Sequence, residues 1–249
     1  MREGIGVFDS GVGGISVLKK LLQTLPREKY FYYGDERHMP YGEKSPKDIV
    51  KYTSEGFRYF DKKNVKIGVI ACNTASTYAL DYLKEHFDFP IFGMIDAGVE
   101  GVLNVCEKKV AIFATSGTIN SKAYENAIKA RDKNLEVINV ACVGLASAVQ
   151  NQDMDEAKAL IRKYLETIPK DTDTLVLGCT HYPLVEDIFK EESLKLQLNL
   201  NLVDPAVVLT KKISAYLLEN NLLSNEGGVQ FYSTEDVNAL MRKAAEFLS

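Results

Sequence analysis

Two cysteines stand where a thiol can do proton chemistry. Cys72 lies in VIACNTAS at 69–76 and Cys179 in LVLGCTHYP at 175–183, each ending an apolar run and followed by polar side chains. A free thiol has a pKa of about 8.5, lower at a helix N-terminus or beside a positive group, so it can hold or release a proton near neutral pH. A thiolate and a thiol on opposite walls of a cleft can remove a proton from one face of a carbon and return another to the opposite face. That is the chemistry of inverting an α-carbon, and the scheme calls for no metal and no pyridoxal cofactor. The carbanion formed on the way must be stabilised by donors aimed at the α-carboxylate, a task that suits Thr74, Thr118 and Thr180. Asp9 is the candidate helper of the first thiol and His181 of the second. Taken singly, a cysteine ending an apolar strand is more often an inert core residue, and Ser, Thr or Asn after a strand is usually a helix cap. Cys106 and Cys142 lack comparable escorts and read as core.

What must position these residues is legible in the hydrophobic pattern. Short apolar runs alternate with amphipathic stretches, which predicts parallel strands joined by helices. Strands are expected at Ile5–Phe8, Tyr30–Tyr33, Ile67–Ala71, Ile91–Met94, Val110–Ala114, Val137–Val140, Leu175–Leu177 and Leu200–Val203. Helices are expected at Ile15–Leu25, Lys47–Lys63, Tyr78–His86, Ser121–Arg131, Asp155–Ile168 and Val207–Glu219. Pro46 and Pro183 suit helix starts. The fold class is therefore α/β with covered, mainly parallel sheets.

The pattern also repeats. GVFDSG at 6–11 matches IFATSGT at 112–118, and each is followed later by a cysteine-ended strand. Asp9 lies 63 residues before Cys72, and Thr115 lies 64 before Cys179. A duplicated frame predicts two pseudo-symmetric α/β domains, with the active site in the cleft between them. Ligands of open α/β sheets bind at the carboxyl ends of strands, where Asp9, Ser10, Asn73, Thr74, Thr115, Thr118, Thr180 and His181 all fall. A small, doubly anionic ligand would meet several hydroxyls and backbone N–H groups there.

The bulk composition excludes other classes. Hydrophobic residues make up 46% and charged residues 26%, ordinary for a globular protein, and 249 residues bury a core without disulfides or a structural metal. The net charge of −4 and the absence of a basic run argue against nucleic acid as partner. The opening MREGIGVFDSG has no signal-like region and no apolar run is long enough to span a bilayer, so a cytoplasmic protein without membrane association is expected. In a reducing compartment Cys72, Cys106, Cys142 and Cys179 are not expected to form disulfides. Their spacing contains no CxxC and no zinc-type cluster, so no metal site is expected. GVGG at 11–14 is not a dinucleotide loop, because Ser16 replaces the third glycine of GxGxxG, nor a Walker motif.

The same segments resemble the glutamate racemases of the aspartate/glutamate racemase superfamily. The matches are GVFDSGVGG at 6–14, YYGD at 32–35, PYGEKS at 40–45, ACNTAS at 71–76, TSGTINSKAY at 115–124, GCTHYPL at 178–184 and VDPA at 203–206. The resemblance implies cofactor-independent racemisation of L- and D-glutamate, supplying D-glutamate for peptidoglycan. It implies that Cys72 and Cys179 are the catalytic acid/base thiols, the first acting on the D- and the second on the L-enantiomer, assisted by Asp9 and His181. It also implies that Ser10, Tyr41 and Gly42 lie near the substrate's side-chain carboxylate, with Asn73, Thr74, Thr118 and Thr180 near its amino-acid head. The implied fold has two α/β domains with the C-terminal segment returning to the first, here residues 1–93 plus 208–249 and residues 94–207. A homodimer is expected from the family and from the frequency of such assemblies.

Three departures from the family pattern stand out. His38 occupies a place where many members carry arginine, Gln150 one where many carry glutamate, and Met94–Gly98 lacks a proline often found there. A glutamine cannot be a charged helper, which leaves assistance of Cys179 to His181, with activity retuned rather than lost. Other readings stay open at this point: a relative acting on aspartate or another amino acid, or a binding protein that has kept the cleft without turnover. Discriminating one methylene is worth only about 1–3 kcal/mol, so motifs alone do not choose between glutamate and aspartate. A thiol-redox role fits less well, because the two cysteines are needed on opposite sides of a substrate.

Overall fold

A computed structural model of the chain describes residues 2–248. Met1 and Ser249, the outer ends of the first domain as expected from sequence, lie outside the described residues. The first half runs β1 (Ile5–Asp9), α1 (Ile15–Thr24), β2 (Tyr30–Gly34), α2 (Pro46–Lys62), β3 (Ile67–Ile70), α3 (Asn73–His86), β4 (Ile91–Gly93) and α4 (Met94–Val105). The second runs β5 (Lys109–Ala114), α5 (Ser116–Ser121), α6 (Ala123–Arg131), β6 (Glu136–Ala141), α7 (Leu145–Gln150), α8 (Met154–Leu165), β7 (Thr174–Gly178), α9 (Glu186–Lys195) and β8 (Asn201–Val203). Helix α10 (Pro205–Glu219), β9 (Val229–Ser233) and α11 (Val237–Leu248) close the chain.

The strands form two sheets, ordered β4-β3-β1-β2-β9 and β6-β5-β7-β8, with parallel pairing throughout the described ladders. Read from the other edge, the first sheet is β9-β2-β1-β3-β4, so its last four strands repeat the order of the second, β6-β5-β7-β8. The duplication read in the sequence is thus a duplication of topology, with β9 added at one edge. In both sheets the order reverses between the first and third strands of the unit. That switch point, where ligands of open α/β sheets bind, puts Asp9 beside Cys72 in one sheet and Thr115 beside Cys179 in the other.

Period-two alternation places each sheet between two cores. Tyr30 and Tyr32 of β2 face α1 and α10, while Phe31 and Tyr33 face the opposite layer with Phe57 of α2 and Leu83 of α3. Ala111, Phe113, Leu175 and Leu177 face Leu145, Ile161 and Phe189 from α7, α8 and α9; Val110, Ile112 and Val176 face Val99, Val102 and Ile128 from α4 and α6. Helix α4 joins the halves, with Met94 and Ala97 in the core of the first sheet and Val99 and Val102 in that of the second.

The expected elements are present, with instructive differences. Helix α3 begins at Asn73 rather than Tyr78, because the Cys72 sulfur itself caps it, accepting from the Ala75 N–H at 3.4 Å. The helix expected over 121–131 is two helices, 116–121 and 123–131, separated by Lys122 in the left-handed region at φ 56°. Helices α4, α7, α9 and α11 and strand β9 complete the fold beyond the predicted elements. Among the described residues no helix is long and apolar enough to cross a membrane.

The base of the first sheet carries a buried ion pair. Lys66 Nζ lies 2.5 Å from Glu28 Oε2 and also donates to the Leu222 carbonyl, while Glu28 accepts from the Ser224 N–H at 2.8 Å. The pair pins the segment leading into β9, at the sheet end opposite the strand termini that carry the cysteines. Removing one member leaves the other charge buried and uncompensated. Lys66→Met is expected to cost about 3–5 kcal/mol, measured as a lower midpoint in equilibrium urea unfolding. A loss below about 1 kcal/mol, the range of exposed pairs, contradicts this account.

Candidate active site

The facing carboxyl ends of the two sheets enclose a cavity of about 160 Å³, small beside the roughly 300–1,000 Å³ of drug-sized ligand sites. Cys72 lines it from the end of β3 and Cys179 from the end of β7. Ser10, Asn73, Thr74, Tyr41 and Gly42 come from the first half, and Thr115, Thr180 and His181 from the second. Asp9 and Thr118 are the two sequence-predicted site residues that stand behind this wall. Asp9 is fully buried, and Thr118 bonds to Thr74 Oγ1 at 3.1 Å and Thr115 Oγ1 at 3.2 Å.

The two halves are stitched together at this cavity. Thr74 and Thr115 hydroxyls lie 2.8 Å apart, Tyr124 donates to Asn73 Oδ1 at 2.7 Å, and Tyr78 donates to the Gly117 carbonyl at 2.8 Å. Ser16 donates to the Thr180 carbonyl at 2.8 Å, and the Thr180 hydroxyl donates to Asp9 Oδ1 at 3.3 Å. Two glycines permit this approach. A Cβ at Gly13 would fall 2.5 Å from Thr180 Oγ1 and 2.6 Å from His181 Nδ1; one at Gly42 would fall 2.6 Å from the Thr115 Cβ. Gly13 of GVGG and Gly42 of PYG therefore serve contact between the halves.

The thiols have different surroundings. Cys72 caps a 14-residue helix, whose N-terminus favours a thiolate. Burial outweighs that effect and, with the Asp9 carboxylate, pushes the thiol up to about 12, against the Ala75 N–H and the Ser10 hydroxyl. Cys179 is also driven up by burial, opposed chiefly by the His181 N–H, and is followed by a short 3-10 turn rather than a long helix. Its neighbour is an imidazole, with His181 Nδ1 at 3.7 Å from the sulfur. Burial, and to a smaller extent Lys243, push His181 down to about 4, so the ring is uncharged at neutral pH.

Asp9 makes no hydrogen bond to Cys72 and acts on it through charge. Its carboxylate accepts from the Gly11 N–H at 3.0 Å and from Thr180, and burial pushes it up to about 7 in spite of these donors. Tyr41 is fixed from behind, donating to Asp35 Oδ2 at 2.6 Å; Asp35 also accepts from Thr234 and meets His38 Nδ1 at 2.9 Å. His38 stacks on Tyr52 with ring centroids 3.7 Å apart.

Sequence reasoning missed several wall residues. Met39 and Pro40 precede Tyr41, Ala146 and Ser147 come from α7, and Gly178 precedes Cys179. Helix α7 spans only six residues, too short for a periodic signal. Gln150, singled out for replacing a glutamate, lines the cavity and accepts at 2.7 Å from His181 Nε2, touching the imidazole and not the thiol. Among the described residues no group of three or more His, Cys, Asp or Glu is arranged to hold a metal ion.

Known proteins share this architecture. Residues 5–213 match the family model described as Asp/Glu/Hydantoin racemase. The chain is 42% identical to a glutamate racemase of Fusobacterium nucleatum, over 99% of this chain and 94% of the relative. A solved glutamate racemase isoform of Bacillus anthracis superposes with a TM-score of 0.93 at 32% identity, covering 99% and 94% of the two chains. The glutamate racemase of Francisella tularensis, solved in complex with D-glutamate, gives 0.89 at 34% identity over the same shares.

With both thiols raised by burial, the ligand-free protein should hold Cys72 and Cys179 protonated at pH 7.5. Iodoacetamide should then modify them at least ~100-fold more slowly than a thiol with an ordinary pKa near 8.5. Followed by mass spectrometry, their rates should keep rising beyond pH 10. A plateau near pH 8.5 contradicts the assignment.

Proposed function

The chain belongs to the Asp/Glu/hydantoin racemase family, and from that membership we propose that it racemises glutamate, with Cys72 and Cys179 as the acid/base pair. The observation that carries the reading is that the two thiols, delivered by different sheets, line one small cavity. The enzyme interconverts L- and D-glutamate without a bound cofactor. The Cys179 thiolate takes the α-proton of L-glutamate: an S–H bond forms, the Cα–H bond breaks, and the electron pair passes into the α-carboxylate as an enediolate. Cys72 then gives its S–H proton to the opposite face of Cα and is left as the thiolate. The reverse reaction starts from that state, so every proton taken up is matched by one delivered.

The difficult step is forming the carbanion, and polar donors lower its cost most when they are already oriented. Thr74 and Thr115 present hydroxyls to the amino-acid head, and Thr180, whose O–H is given to Asp9, presents its oxygen. Asn73 adds an amide whose oxygen is held by Tyr124 and whose buried Nδ2 has no hydrogen-bond partner among the described residues. Such a donor costs about 1–3 kcal/mol unless an acceptor reaches it, and a substrate carboxylate is one. Ser10, Tyr41 and the Gly42 backbone form the end that takes the side-chain carboxylate. Asp9 and His181 assist the thiols, and Thr118 holds Thr74 and Thr115 from behind. The substrate's ammonium group favours a thiolate that burial otherwise disfavours.

In this reading residues 1–93 plus 208–249 carry the Cys72 wall and residues 94–207 the Cys179 wall. The enzyme works in the cytoplasm as a homodimer and supplies D-glutamate for peptidoglycan.

Incubated with L-glutamate and no added cofactor, the purified protein is expected to generate D-glutamate until the enantiomers are equal, followed by circular dichroism. L-aspartate should turn over much more slowly. Cys72→Ala and Cys179→Ala should each abolish racemisation while leaving the melting temperature near that of the parent. No D-enantiomer from either amino acid, or full activity in either variant, would falsify the two-thiol reading.

A further inference from the structure

His181 is the nearest side chain able to exchange a proton with Cys179, and its other nitrogen is bound by Gln150. The chain of contacts is Cys179 Sγ to His181 Nδ1 at 3.7 Å, then His181 Nε2 to Gln150 Oε1 at 2.7 Å, with all three residues buried. A neutral imidazole has one N–H and one lone pair. Whatever Gln150 presents to Nε2 therefore decides what Nδ1 presents to the sulfur. With the amide oxygen toward Nε2, that nitrogen carries the proton and Nδ1 is an acceptor, matched to a Cys179 thiol. With the amide turned end for end, its NH2 donates to Nε2; solvent in the cavity that His181 and Gln150 line takes the Nε2 proton and returns one to Nδ1, which then donates to a Cys179 thiolate.

We propose that Gln150 is a positioning residue that sets the tautomer of an uncharged His181, its amide turning end for end as Cys179 alternates between thiol and thiolate. The inference rests on the two-thiol reading for its role in turnover. A carboxylate at this position would behave differently. It only accepts, so it would hold the proton on Nε2 in both states and favour imidazolium. Gly11 leaves the amide room, since even a Cβ built there would lie 3.9 Å from Oε1.

The charges around His181 agree with a neutral ring. Cys179 faces Nδ1, and Lys243 of α11 is the cation that reaches the ring and disfavours its protonation. Asp9 and Cys72 act from the opposite wall on Cys179, and the Tyr182 hydroxyl, next in sequence, is held protonated by burial. Glu246 of α11 accepts from Gln152 at 2.9 Å.

Ring-15N-histidine labelling of the whole protein reads this directly, because the chain has only three histidines and His181→Asn identifies the signal. In the ligand-free parent, His181 is expected to stay uncharged from pH 5.5 to 8.5 with the proton on Nε2. Under saturating racemic glutamate its two nitrogens should exchange between tautomers. In Gln150→Glu the midpoint for protonation should rise by roughly 1–3 pH units, with kcat acquiring a matching acid limb and KM changing little. Imidazolium in the parent at pH 7, one tautomer retained during turnover, or an unmoved midpoint and pH profile in Gln150→Glu would each overturn the proposal. The ligand-free titrations need no activity. A protein that fails to racemise but shows them refutes the two-thiol reading alone, and one that racemises without them refutes the role of Gln150 alone.

Discussion

The site depends on the contact between two sheets that meet end to end. Parallel strands leave their carboxyl ends ringed by helix N-termini and unpaired polar groups, and a single sheet would expose them on one side of an open crevice. Here the second sheet supplies the opposite wall, and a few hydrogen bonds hold the halves in register: Thr74 to Thr115, Tyr124 to Asn73, Ser16 and Asp9 to Thr180. The halves can come this close because Gly13 and Gly42 carry no side chain at the closest approach. Two cysteines more than a hundred residues apart thereby come to line one small cavity.

Pseudo-symmetry gives two thiols but not two equal ones. Cys72 sits on the N-terminus of α3 and feels the charge of Asp9, whereas Cys179 precedes only a short turn and has an imidazole beside it. Burial raises both, and in the proposed reaction the helix terminus on one side and the imidazole on the other are the groups that make a thiolate accessible when substrate arrives. The duplicated frame fixes where the thiols stand, and local sequence fixes how each is tuned. Gln150 reaches the thiol through His181.

Much of this was legible in the sequence because the physics is local. Eight strands announced themselves as apolar runs, and the repeat of Asp9–Cys72 by Thr115–Cys179 at nearly equal spacing anticipated the shared strand order. What escaped was set by tertiary context. The edge strand β9 alternates partly buried and exposed residues and pairs only with β2. Asn, Thr and Ser after Cys72 are weak helix formers, so the first turn of α3, held by a sulfur cap, read as a loop. Thr118 sits behind two other threonines, and Asp9 reaches Cys72 by charge rather than contact, neither of which spacing reveals. The α7 wall is likewise too short to carry a period.

The central claim is that two different groups handle the proton on the two faces of the substrate. It is tested most directly by following α-deuterium in both enantiomers at early times, with unlabelled L-glutamate as substrate in heavy water. Because the acceptor of the L-side proton is not its donor on the D side, newly formed D-glutamate should carry deuterium while the remaining L-glutamate stays unlabelled. Early deuterium in the residual L-glutamate at the level of the product, or unlabelled D-glutamate formed by return of the same proton, would contradict the account.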